Sequence, residues 1–162
     1  MEVKKEEEIV KVISQLAGLL SDQAKKEVAK QLSGEQEHDG KEHLPISIFS
    51  TELSGLESIV VYLKENQKLA VKEIAAKLNR ELTTIYTTYA QARAKFKAKL
   101  PLNNLSLSVP LILFSQRQFA VLEILVTYLK EEKKLSFKEI AELIKRNYNT
   151  IKTVYRRYHE EK

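Results

Sequence analysis

Cysteine is absent from this 162-residue chain, glycine occurs four times and histidine three times. Without a thiol there is no disulfide, no thiolate nucleophile and no cysteine-ligated zinc. His38, His43 and His159 stand isolated, without the spacing of a metal site or a catalytic triad. No glycine-rich loop of the kind that cradles phosphates occurs. No apolar run approaches the roughly 20 residues needed to span a bilayer, and the charged start, Met1 to Glu8, lacks the apolar core of a signal peptide. These absences lead us to expect a protein that is not an enzyme, uses no cofactor or metal, has no membrane partner and sits in a reducing, cytoplasmic setting.

What is present is enough apolar material for a core, 43% of the residues. The net charge of +5 is unevenly spread: residues 1–44 carry −3, residues 45–107 carry +4 and residues 108–162 carry +4. A polyanionic partner therefore suits the last two segments and not the first.

Those two segments are copies of each other. Leu56-Glu57 and the run Tyr62-Leu63-Lys64-Glu65 recur as Leu122-Glu123 and Tyr128-Leu129-Lys130-Glu131, an offset of 66. The match continues through Lys72-Glu73-Ile74-Ala75, Arg80, Thr84-Ile85, Thr87 and Tyr89. Between residues 56 and 92, 18 of 37 positions are identical. Upstream, Pro45 and Phe49-Ser50 match Pro110 and Phe114-Ser115 at an offset of 65, so the second copy has one extra residue near its first helix. The unit is too long, and two copies too few, for a solenoid. The expected architecture is all-α: a helical segment at 1–34, a polar linker at 35–44, one three-helix domain at 45–100, a linker at 101–109 and a second three-helix domain at 110–162, each domain with its own core.

Within a copy, Ser50 and Ser115 are read as N-caps of a first helix that runs to about Glu65 and Glu131. Phe114 and Phe119 are placed for a hydrophobic staple that copy one, with Ser54 there, lacks. A second, short helix spans Val71 to Leu78, or Phe137 to Ile144. Ser136-Phe137-Lys138-Glu139 is a capping box, whereas copy one has Ala70 in place of the serine. A three-residue turn leads to a third helix, capped by Asn147 in copy two and by the poorer Glu81 in copy one. Leu82, Ile85, Tyr89 and Phe96, or Tyr148, Ile151, Tyr155 and Tyr158, form its core-facing stripe. The opposite face presents Thr83, Thr84, Tyr86, Thr87 and Ala90, or Asn149, Thr150, Lys152, Thr153 and Arg156.

The run Lys72-Glu73-Ile74-Ala75-Ala76-Lys77-Leu78, its turn and the following Thr84-Ile85 resemble a helix-turn-helix, most closely the type in the fourth conserved region of bacterial sigma factors. The resemblance covers residues 51–98 and 116–160. It implies that Ala75 and Ala141 are the small residues at the helix crossing, that Ile74, Leu78 and Ile85 are core, and that the third helix lies in the major groove of DNA. Two positions depart from the pattern: the usual turn glycine is Asn79 or Lys145, and the apolar residue after it is Arg80 or Arg146. Asn tolerates a left-handed backbone and Lys does so less readily. Nothing resembles the parts of a sigma factor that bind polymerase or melt DNA.

The resemblance makes double-stranded DNA the expected partner and regulation of transcription the expected role. Thr83, Thr84, Tyr86, Thr87, Asn149, Thr150, Lys152 and Thr153 are candidates for base or phosphate contact, with Asn149 suited to adenine and Arg156 to guanine. Arg93, Lys95, Lys97, Lys99, Arg156 and Arg157 fall toward the ends of the third helices, where cations also suit the helix dipole. For Arg80 and Arg146, phosphate clamping and a structural hydrogen bond to the turn backbone stand as equal alternatives. At the N-terminus, Ile9, Val12, Ile13, Leu16, Leu19 and Leu20 make a helical stripe, followed by a cap-like Ser21-Asp22 and by Ala24, Val28 and Leu32. That is one kinked helix or two, with an apolar face that suits a homodimer. The alternative function is a protein-interaction module using the same fold, because copy one's outward face carries little charge.

Overall fold

The computed structural model describes residues 2–19, 21–26, 42–103 and 107–161. The protein is mainly helical and divides into two units, Met1–Asp39 and Gly40–Lys162. In the first unit, α1 spans Glu2–Ala17. The chain then turns at Gly18, and residues 22–26 are helical again. Ser21 caps this second stretch, its hydroxyl accepting the Ala24 N–H at 3.3 Å. The segment is therefore two helices. Ile9, Val12, Ile13 and Leu16 on α1 are more than half exposed. Leu20, Val28, Leu32 and residues 35–41 of the linker expected at 35–44 lie outside the described residues, while His43 and Leu44 of that expected linker belong to a strand.

The second unit contains both copies. Copy one runs through β1 (His43–Pro45), a 3-10 turn (Ile46–Ser50), α2 (Gly55–Val61), which continues as a π turn over Tyr62–Asn66, α3 (Val71–Leu78) and α4 (Leu82–Lys95). Copy two repeats this as β2 (Ser108–Pro110), a 3-10 turn (Leu111–Ser115), α5 (Val121–Glu131), α6 (Phe137–Leu143) and α7 (Tyr148–Glu160). The strands pair antiparallel, with Leu44 opposite Val109.

Independent cores are not what the structure forms. One continuous apolar cluster takes in Leu44, Ile48, Phe49, Leu53, Ile74 and Ile85 of the first copy and Val109, Phe114, Leu125, Leu129, Ile140 and Ile151 of the second. The stretch expected as a linker at 101–109 enters β2, and residues Gly40–Lys162 are a single compact unit. A copy of some 55 residues buries too little surface to be robust alone, so sharing a core is the favourable solution. Each fully buried Leu, Ile or Phe in it contributes about 2 kcal/mol.

The first helix of each copy starts later than expected. Ser50 and Ser115 are not its N-caps: their hydroxyls donate to the carbonyls of Ser47 and Ile112, each at 2.7 Å, and close the 3-10 turns. The cap of α2 is Ser54, whose hydroxyl accepts the Glu57 N–H at 3.3 Å while the Glu57 carboxylate accepts the Ser54 N–H at 2.9 Å. In copy two the corresponding residue is Ala120, which keeps only the bond from its N–H to Glu123, 3.0 Å. The staple is accordingly replaced. Phe119 is the counterpart of buried Leu53 and packs on Tyr158 with ring centroids 4.4 Å apart, while Phe114 packs on Phe49 at 6.1 Å. The extra residue of copy two lies in the loop at 116–119.

The second helix matches the expectation in copy one and ends a residue earlier, at Leu143, in copy two. Its turn is tight in both copies. Asn79 and Lys145 adopt left-handed backbones, φ 52° and 51°, and the Arg80 and Arg146 N–H groups reach back to the carbonyls of Ala75 and Ala141, each at 3.0 Å. That is the hydrogen-bond pattern of a helix ending on a left-handed residue. Lys145 takes it at a cost of roughly 1 kcal/mol, which the bonds it enables offset.

The core stripe of the third helix begins one turn later than expected. Ile85, Thr88 and Ala92 are buried in α4, and Ile151 and Val154 in α7, whereas Leu82 and Tyr148 are 44% and 46% exposed. At about 100° per residue, position 82 falls some 60° to one side of Ile85 and Thr88 some 60° to the other. The buried arc centres between Ile85 and Thr88, leaving position 82 at its edge. Phe96 lies just past the end of α4, half-buried.

Candidate nucleic-acid interface

The exposed face of α7 is set from its first turn. Asn147 caps the helix by accepting the Asn149 N–H on its side-chain oxygen at 2.8 Å. Ile151 and Val154 hold the opposite side in the core. Asn149, Lys152 and Arg156 then stand in a row along the solvent side, flanked by Thr150, the half-buried Thr153 and Arg157. Among the described residues, no hydrogen bond or ion pair engages the side chains of Asn149, Thr150 or Arg157. Lys152 lies over the Tyr148 ring at 5.5 Å. Arg156 is 3.6 Å from Glu160, with both side chains about two-thirds exposed, a contact that yields easily to a competing anion.

The corresponding face of α4 is different. Thr83, Thr84, Tyr86 and Thr87 are exposed, Tyr86 by 58%. The two basic residues near its end are committed internally. Arg93 grips the Glu65 carboxylate, with its Nε at 2.7 Å, and donates to the carbonyls of Phe96 and Ala98, each at 2.9 Å. Lys95 pairs at 2.8 Å with Glu57, whose side chain is only 6% exposed. Burial pushes the Glu57 carboxyl up, but Lys95 and the Ser54 N–H and hydroxyl together outweigh it and hold its pKa below the ordinary value. Lys97 and Lys99 are exposed beyond the helix.

The turn arginines also part company. Arg146 donates to the carbonyls of Thr51 at 3.0 Å and Leu53 at 2.7 Å, so its structural partner is the loop of the other copy rather than its own turn. Among the described residues Arg80 makes no such bond, and its Nε is buried without a partner there. Burial first, and Arg117 second, push its pKa down from the usual arginine range.

Two acidic residues that the sequence expectations did not include anchor the third helices. Tyr89 and Tyr155 donate their hydroxyls to Glu65 and Glu131, at 2.7 and 3.0 Å. Burial, then the hydrogen bond to Glu131 and its negative charge, raise the Tyr155 pKa. In the place of Arg93, copy two has His159, 2.9 Å from Glu131. The signal was available: Glu65 and Tyr89 are both among the positions identical between the copies. No family model, curated protein or solved structure matches the chain.

Proposed function

We propose that the chain is a sequence-specific double-stranded DNA-binding protein, a regulator of transcription, in which each copy is a helix-turn-helix unit and its third helix enters the major groove. The observation that carries this reading is the face of α7: an exposed row of Asn149, Lys152 and Arg156, with Thr150 and Arg157 beside it, following a tight left-handed turn. Asn149 is suited to the edge of adenine, Arg156 to guanine, and Thr150, Lys152 and Arg157 to phosphates. The positive charge of the two copies supplies a salt-dependent contribution to affinity. Mobility shifts with mixed duplexes at several salt concentrations test the reading: affinity falls steeply with salt, and charge reversal at Arg156 and Arg157 weakens binding by about tenfold or more. Absence of binding at low salt overturns it.

A specific observation favours a second reading for copy one. Arg93 and Lys95 are tied to Glu65 and Glu57, while Leu82 and Tyr86 stand exposed. That surface suits a protein partner. Reversal at Arg93 and Lys95 would disturb the fold, so the discriminating variant is Ala90→Glu with Gln91→Glu, the exposed counterparts of Arg156 and Arg157. Unchanged DNA affinity in that variant favours the protein-partner reading. The exposed apolar face of α1 supports homodimerisation, which sedimentation of the full chain and of an Ile13→Glu variant measures.

A further inference from the structure

We infer that the DNA target is an inverted repeat of two unequal half-sites, read by a single chain, because the two copies are related by an internal two-fold axis and not by translation. The inference rests on the DNA-binding reading. Tandem copies related by translation meet through different surfaces, whereas copies related by a two-fold axis bring each element near the axis against its own counterpart. The second pattern is what the contacts show. In the paired strands, His43, Leu44 and Pro45 lie opposite Pro110, Val109 and Ser108. The sequence counterpart of Leu44 is Val109 itself, so the axis passes through that pair. The main-chain bonds flanking it are reciprocal: Ile46 N–H donates to Leu107 O at 3.0 Å, and Leu111 N–H to Glu42 O at 2.8 Å, each residue the counterpart of one in the other bond.

Farther from the strands the same relation holds. Phe49 packs on Phe114, its own counterpart. Gly55, at the start of α2, meets its counterpart Val121 at the start of α5; a Cβ on Gly55 would lie 2.6 Å from a Val121 methyl. The turn of copy one reaches copy two through Asn79, whose side chain donates to Ser115 O at 3.4 Å, and the turn of copy two reaches copy one through Arg146.

Because α4 and α7 belong to units related by this axis, they meet a duplex in opposite senses. A two-fold-related pair of readers matches an inverted repeat, as it does in dimers of separate chains. The halves differ because Thr83, Tyr86, Ala90 and Gln91 occupy the places of Asn149, Lys152, Arg156 and Arg157.

Selection of duplexes from a random pool by the full chain carrying Ile13→Glu, which removes association through α1, with the mass of the complex measured on the selected site, tests this. The expected product is two dissimilar half-sites in inverted orientation, bound by one chain. Half-sites in direct orientation, a lone half-site, or an inverted repeat that requires two chains would each overturn the inference while leaving DNA binding intact. Retention of no duplex at low salt would overturn the function itself and the inference with it. A second variant sharpens the result. Thr83→Asn, Tyr86→Lys, Ala90→Arg and Gln91→Arg, all at exposed positions, give α4 the face of α7. This variant should prefer a symmetric palindrome of the α7 half-site over a direct repeat by about tenfold; equal affinity for the two would count against the axis.

Discussion

Copy one and copy two have the same helices and use their polar residues differently. In copy one the first helix has the complete capping box, Ser54 with Glu57, and the second has only half of one, at Ala70. In copy two the assignment is exchanged: Ala120 leaves the first helix with half a box, and Ser136 completes the second. The basic residues differ in the same way. Copy one spends Arg93 and Lys95 on its own carboxylates and leaves Arg80 without a bond at Nε, whereas copy two commits Arg146 to the other copy and leaves Arg157 exposed without a partner among the described residues. Duplication preserved the backbone because each copy needs the same core, while the exposed groups were free to diverge.

The largest test of this asymmetry is at the turn arginines. Arg146→Ala removes two charge-assisted bonds and strands the carbonyls of Thr51 and Leu53, so it should lower stability by about 3 kcal/mol in urea denaturation. Arg80→Ala, at the equivalent place, should cost under about 1 kcal/mol. Equal losses would mean that the two turns are held alike. Next is the contact between the helix starts. Gly55→Ala drives a methyl into Val121 and should cost about 2 kcal/mol, with Val121→Ala restoring part of it in the double variant. If Gly55→Ala is neutral, the helices are not that close.

One pH-dependent contribution comes from copy one. Glu57 has a folded pKa below its ordinary value of 4.5, so its stabilisation is fully present above that range and is lost as pH falls through the folded pKa. Glu57→Gln should therefore lower stability by about 1 kcal/mol near neutrality, and the difference from the unaltered chain should shrink in acid. A gap that stays constant from pH 7 to pH 3 would remove the ion pair from the account. The smallest effects come from repairing the caps: Ala70→Ser and Ala120→Ser should each stabilise by up to about 1 kcal/mol in thermal unfolding. A gain at one site alone would show that the half-boxes are not equivalent.

Much of the secondary structure was legible because it depends on neighbours in the chain. The span Val71–Leu78 follows from its apolar spacing and the breaks on either side, and Asn147 was readable as a cap because its oxygen serves an N–H two residues on. Ser54-Gly55-Leu56-Glu57 was equally readable as a capping box, and Ser50 concealed it by standing next to Phe49 in what resembled a helix start. The left-handed Lys145 was harder to anticipate, since the residue itself disfavours that backbone and only the closing bond from Arg146 makes it worthwhile. Among the interface candidates, exposure at Asn149 and Arg156 followed from the position of Ile151. The engagement of Arg93, Lys95 and Arg146 did not, because their partners lie 28, 38 and more than 90 residues away.

By itself the sequence determined the duplication, the helical periods, the tight turns and the concentration of positive charge in the repeated part, all of which depend on residue order over short spans. Tertiary structure alone decided that the copies share one core, that each of Leu44, Phe49 and Gly55 meets its own counterpart, and which basic side chains are tied to partners distant in the chain. A short span cannot encode those outcomes. They depend on where the second copy's strand and loops come to rest against the first, and that placement is selected by burying the apolar surface that one copy leaves uncovered.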